Sequence, residues 1–189
     1  LDNIDSFEYD LSGIGSDPVD VVYSERGLFV NFGKYLSLHN LEDLTDFETI
    51  PLSLDTELKQ LIVSGRYLVG WHEEGDDQEL LVFDTLSAPV SIVTSHRIVA
   101  SEELIALLPL NQHEGFAIAV TADRNDSTNV HLDLIDLLDG NSEFPLINKD
   151  FDWGYSVTSV SAYGYQVALT LSDGTVKIVN LKTGAESEI

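Results

Sequence analysis

The chain has 189 residues, 43% hydrophobic and 22% charged, an ordinary globular composition long enough to bury a substantial core without staples. It contains no Cys, which excludes disulfides and thiolate metal sites. Its 33 acidic residues against 9 basic ones give a net charge of -24, so nucleic acid and anionic membrane surfaces are poor partners, because both are held by Lys and Arg. Cationic partners, divalent ions or a saline environment suit such a surface, and solubility alone is the plainer account of it. No apolar run approaches the roughly 20 residues that span a bilayer, so membrane insertion is not expected. The chain starts at Leu1 and holds no Met, which reads as a processed form or a piece of something longer.

From the N-terminus, Ser6 to Leu11 reads as an extra strand within residues 1–13. Four repeats then follow, at about 14–54, 55–98, 99–150 and 151–189. In each, a strand candidate precedes a glycine: Val19 to Tyr23, Leu58 to Val63, Ile105 to Leu110 and Val157 to Ala162. The glycines Gly27, Gly65, Gly115 and Gly164 each open an apolar strand, at spacings of 38, 50 and 49 (65−27, 115−65, 164−115). A third strand follows and ends in an acid or amide: Asn40, Asp84, Asp136 and Asn180, spaced 44, 52 and 44 (84−40, 136−84, 180−136). Hairpin connectors lie between the second and third strands, the clearest being Ser172-Asp173-Gly174, since Asp-Gly supplies the positive φ of a tight turn. Weaker fourth strands follow at Phe47 to Leu54, Val90 to Val93, Phe144 to Ile147, and from Ala185 onward.

Four antiparallel strands per repeat at this period predict an all-β fold of β-propeller blades, with about four blades visible. Near-continuous apolar runs such as Phe116 to Val120 fit strands covered on both faces. A helical reading competes at Ser101 to Leu108, where Ser-Glu-Glu precedes an apolar run, and at Asp55 to Gln60. Two arrangements stand: a partial propeller or one segment of a larger ring, and a closed small ring of four or five blades.

The segment Leu171-Ser172-Asp173-Gly174-Thr175-Val176-Lys177-Ile178-Val179-Asn180-Leu181-Lys182-Thr183-Gly184 resembles the third-strand region of a WD-repeat blade. Val179-Asn180 stands where that family has Trp-Asp, and the family's Gly-His dipeptide is missing throughout. The resemblance is to a WD-repeat-like propeller and extends diffusely over the other repeats. It implies a rigid scaffold of usually about seven blades that binds partners, mostly proteins, through its top face and central channel.

Chemical motifs are sparse. His39, His72, His96, His113 and His131 show no metal-ligand spacing, and His72-Glu73-Glu74 reads as a solvated hairpin. No Gly-x-Ser-x-Gly elbow exists. For a metal, Asp123, Asn125 and Asp126 sit in one connector with the closely spaced oxygens that calcium takes, although the glycine and terminal glutamate of an EF-hand are missing. For interaction, Trp71 and Trp153 are candidate binding-face aromatics, with plugging of gaps between blades as the alternative. The first functional reading is a non-catalytic protein-interaction scaffold whose partner is another protein, a basic one suiting the acidic surface, or further blades of the same parent. The second is an extracytoplasmic or cell-surface propeller domain of a larger protein, with calcium as its candidate ion. The third is a hydrolase or lyase with its site on the propeller axis.

Overall fold

The computed structural model describes residues 17–43, 46–52, 57–110, 113–138 and 149–189. Within these residues sixteen strands form four separate four-stranded antiparallel sheets, each a meander in chain order. Blade one comprises β1 (Asp20–Ser24), β2 (Gly27–Asn31), β3 (Tyr35–His39) and β4 (Phe47–Pro51). Blade two comprises β5 (Leu61–Ser64), β6 (Tyr67–Glu74), β7 (Asp77–Asp84) and β8 (Ser91–Ile98). Blade three comprises β9 (Glu102–Pro109), β10 (Phe116–Asp123), β11 (Asp126–Asp136) and β12 (Lys149–Asp152). Blade four comprises β13 (Val157–Tyr163), β14 (Gln166–Leu171), β15 (Val176–Asn180) and β16 (Glu186–Glu188). The first strands β1, β5, β9 and β13 are neighbours from blade to blade, so each blade presents its first strand to the inside of the arc. Among the described residues no helix is long and apolar enough to cross a membrane.

The alternation of side chains along a strand explains why the central runs are apolar throughout. In β10, Ile118 and Val120 join the cluster shared with Val167, Leu169 and Val179 of blade four. Their neighbours Ala117 and Ala119 point the other way and join Val69, Leu80 and Val82 of blade two. Blade two repeats the device, with Leu68, Leu81 and Phe83 packing against Phe29, Leu36 and Leu38 of blade one. Three clusters therefore join four blades, and fully burying each large side chain contributes about 1.5–3 kcal/mol. Polar groups also cross the joints. Asn31 donates from Nδ2 to the carbonyls of Leu58 (2.8 Å) and Lys59 (3.1 Å). Gln78 accepts the N–H of Leu104 at 2.8 Å, and the Ser64 hydroxyl donates to the Phe116 carbonyl at 2.8 Å.

The two recurring landmarks have physical causes. Gly27, Gly65, Gly115 and Gly164 all have positive φ, at or beside the turn from the first strand to the second. Asn40, Asp84, Asp136 and Asn180 each accept the backbone N–H two residues later, at 2.9, 3.0, 3.0 and 2.9 Å. Each is an Asx-turn that ends the third strand and starts the next connection.

Three expectations change. Ser101 to Leu108 is not helical: residues 102–109 are the inner strand β9, because pairing with β10 overrides a local helix-start signal. The connector expected to hold Asp123, Asn125 and Asp126 is only Arg124-Asn125, since β10 runs to Asp123 and β11 begins at Asp126 and runs eleven residues. In the third repeat, Phe144 to Ile147 lies outside the described residues, and the strand that pairs with β11 is Lys149–Asp152. Ser6 to Leu11 also lies outside them, and of Asp55 to Gln60 only residues 57–60 are described, in irregular backbone.

Candidate interaction face

One end of every blade carries the hairpin between its second and third strands. Hydrogen bonds tie these hairpins to the connections between blades. Leu58 N–H donates to the Gly33 carbonyl (2.8 Å), Arg124 N–H to Ser101 (2.9 Å) and Ser172 N–H to Ser156 (2.9 Å). The result is a continuous hairpin face made of short, backbone-pinned loops.

Its chemistry follows from how few cations the chain has. On this face Lys59 pairs with Glu73, Arg97 with Asp77, and Arg124 with Asp76 at 3.6 Å. Lys59 and, more weakly, Gln78 hold the Glu73 carboxyl below the usual carboxylate range. Thr128 does the same for Asp126 through its hydroxyl and backbone N–H. Elsewhere Arg26 pairs with Glu48, Arg66 with Asp84, Lys149 with Glu186, and Lys177 with Glu188, while Lys182 lies over the Tyr165 ring at 3.6 Å. Of the nine Lys and Arg residues only Lys34 has no carboxylate or ring partner among the described residues. Exposed pairs of this kind add little stability. They do, however, use up the positive charge, and Glu74, Glu103, Asp123, Asp126 and Asp173 on this face are left without a cation.

Asp123, Asn125 and Asp126 fall at the β10–β11 turn, with Asp123 and Asp126 paired across it. Asp123 Oδ1 accepts the N–H of Asn125 (2.7 Å), and Asp126 Oδ1 accepts both the N–H (3.1 Å) and the hydroxyl (2.6 Å) of Thr128. One oxygen of each carboxylate is thus committed to shaping the turn. Among the described residues no three His, Asp or Glu side chains converge at metal-holding distance.

Both Trp residues sit at blade joints. Trp71 lies inside β6 and packs half-buried against the cluster between blades two and three, with Lys59 Nζ 4.6 Å from its ring. Trp153 follows β12, stacks on Phe151 at 4.9 Å and donates from Nε1 to Glu186 at 3.0 Å. It packs against the cluster between blades three and four. His72 is buried rather than part of a solvated hairpin, and its Nε2 lies 3.2 Å from Glu79.

No family model matches the chain, and no curated protein does. Solved structures do match. A chain of the mitotic checkpoint complex aligns with TM-score 0.64 at 15% identity, over 96% of this chain and 52% of that one. The WD40 domain of Pan2 from Neurospora crassa aligns with TM-score 0.59 at 10% identity, over 90% and 50%. The fold is that of a WD40-type β-propeller. This chain spans about half the length of those two propeller chains. It also matches the computationally designed Ika4 protein, with TM-score 0.57 at 15% identity, over 88% of this chain and 92% of that one. At such identities the likeness is one of fold.

Within this WD40-type propeller, the segment with the WD-repeat pattern forms the β14–β15 hairpin and the turn after it. Asn180, in the place of the family's Asp, accepts N–H bonds from Lys182 (2.9 Å) and Thr183 (3.2 Å). A partly buried cluster that sequence reading missed lies between blades two and three. Its members, His96, His131 and Asp133, are 35 and 2 positions apart (131−96, 133−131), and only the packing of blade two on blade three brings them to one cleft.

Proposed function

We propose that this propeller is a non-catalytic binding scaffold that recruits a basic polypeptide through its acidic hairpin face. The observation that carries this reading is the exhaustion of the chain's own cations. Only Lys34, in the β2–β3 hairpin, is left against five carboxylates on the face, so most of their counter-charge has to come from a partner. A propeller of similar fold occurs in the mitotic checkpoint complex, which is consistent with a scaffold role. Fluorescence anisotropy with labelled decalysine tests the proposal. Affinity should fall at least tenfold between about 50 and 300 mM NaCl, as screening shortens the Debye length. It should fall similarly in the triple variant Glu74→Gln, Asp126→Asn, Asp173→Asn. Absence of binding at low salt, or binding indifferent to the triple variant, overturns the proposal.

A second observation concerns ring completion. The far face of blade four carries Ser159, Ser161, Ala168, Thr170, Val176 and Ile178, all at least partly exposed. None is charged, in a chain of net charge -24. The joints between the other blades likewise hold uncharged side chains at their centre, so this face, with Ala168, Val176 and Ile178, fits a further propeller blade of the parent protein. Light scattering after size exclusion should find self-association of the isolated chain, with Ile178→Lys restoring the monomer. A monomer with Ile178 intact removes the inference.

A further inference from the structure

The joint between blades two and three differs from the other two. Its inner half is apolar, with Val69, Leu80, Val82, Leu104 and Leu107. Its outer half opens into a cleft of about 140 Å³ beside the β8–β9 connection. That is room for several waters, and hence for one side-chain head, but not for a folded element. Leu80, Ile98, Ala119 and Ile135 supply apolar wall, while His96, Arg97, Glu102, Thr121, His131 and Asp133 supply polar groups.

The donors in this cleft already have acceptors. Arg97 pairs with Asp77, and His96 Nε2 lies 3.1 Å from the carbonyl of Leu137. His131 Nδ1 lies 2.7 Å from Asp150, and the Thr121 hydroxyl donates to Glu102. Asp133 is the exception. No side chain among the described residues donates to it, and only the backbone N–H of Leu134 does so. Burial pushes its carboxyl above the usual range, with His131 acting weakly in the opposite direction. The unmet capacity of the cleft is therefore a partly desolvated acceptor above an apolar floor. A carboxylate in that setting gains most from a charged donor with a hydrocarbon stem.

We infer that the cleft between blades two and three receives one cationic side chain, Arg or Lys, of a partner polypeptide, with its head on Asp133 and its stem along Leu80, Ala119 and Ile135. This deepens the reading of the protein as a receptor for basic chains by giving it a specific subsite. The two readings fail separately: decalysine bound to the hairpin face with a silent cleft removes only the subsite.

The test is amide-shift titration of the ¹⁵N-labelled chain with N-acetylarginine amide and N-acetyllysine amide, against sodium chloride at equal ionic strength. Saturable shifts at Ala119, His131, Asp133 and Ile135 are expected with at least one of the two, and the stronger identifies the preferred head group. Asp133→Asn keeps the shape and removes a charge that burial disfavours, so it should fold; binding should weaken about tenfold, as for loss of a charge-assisted hydrogen bond. Asp173→Asn, with the same change in net charge, should leave it intact. Shifts scattered over the acidic surface and weakened equally by both variants would overturn the subsite, as would no shift beyond that caused by salt.

Discussion

Gly27→Ala is expected to destabilise the protein by about 3–4 kcal/mol, the upper range for a single substitution. Gly75→Ala should cost only about 1 kcal/mol. Both glycines have positive φ, 153° at Gly27 and 65° at Gly75, so both substitutions carry backbone strain. The difference lies in what the added Cβ meets. At Gly75 nothing stands within 4 Å, whereas at Gly27 the His39 carbonyl oxygen would lie 2.3 Å away and Leu38 Cδ1 3.0 Å. The obstacle is backbone, and it cannot move independently, because Leu28 of β2 pairs with His39 of β3. The turn is also anchored: the Ser24 hydroxyl donates to Gly27 O at 3.2 Å, and Arg26 donates to the carbonyls of Thr85 (2.6 Å) and Ser87 (2.5 Å) of blade two. Relief requires separating β2 from β3 or lifting the turn off the next blade. Urea unfolding should show a much lower midpoint for Gly27→Ala than for Gly75→Ala, with similar slopes. Equal midpoints would mean that φ strain alone sets the cost.

Gly27 also shows why the blade pattern could be read from the sequence. A turn that needs positive φ selects glycine, and a third strand that ends in an Asx-turn selects Asn or Asp. Both requirements are local, so both leave a residue type at a fixed place in every repeat. The apolar runs are legible for a related reason, since a blade covered on both sides needs hydrophobic residues at both phases of the alternation. Ser101 to Leu108 left a helix in competition with the strand because its local signal is that of a helix start, while the deciding contact is the partner strand β10. The β10–β11 turn misled because the polar residues Ser127, Thr128 and Asn129 resemble a loop, although they belong to the eleven-residue strand β11.

The cleft was illegible for a stronger reason. His96 and Asp133 belong to different blades, and nothing in the spacing of the two residues encodes the blade packing that sets them in one cleft. The charge of the hairpin face was only half legible: composition shows the acidic surplus, but not which carboxylates the nine cations occupy. Trp71 and Trp153 illustrate the same limit, because a joint-filling aromatic and an exposed one look alike in sequence. What separates them is the packing of Trp71 against the joint between blades two and three, and of Trp153 against the joint between blades three and four.

Asn31 is a further position that sequence reading passed over, a polar residue ending an apolar strand, and its replacement is the second large effect expected. The side chain is fully buried, and every hydrogen bond it makes reaches across a turn or into the next blade. Oδ1 accepts the N–H of Gly33 at 2.8 Å, while Nδ2 donates to the carbonyls of Leu58 and Lys59 at 2.8 and 3.1 Å. Asn31→Ala strands one backbone donor and leaves two carbonyls short of a partner, so a loss of about 3 kcal/mol is expected. Asn31→Asp should be worse at neutral pH, because it keeps the acceptor for Gly33 but sets a carboxylate against two carbonyl oxygens. Only the protonated acid can donate to either carbonyl. The folded state therefore raises that carboxyl's pKa above its unfolded value, and the stability it contributes is lost as pH rises through the folded pKa. Asn31→Asp should accordingly recover toward Asn31→Ala on acidification, relative to the parent chain at each pH, while Asn31→Ala shows no such trend. A flat pH response from both variants would mean that water enters the joint and solvates the carboxylate, and the bond from blade one to blade two would then be of little consequence to stability.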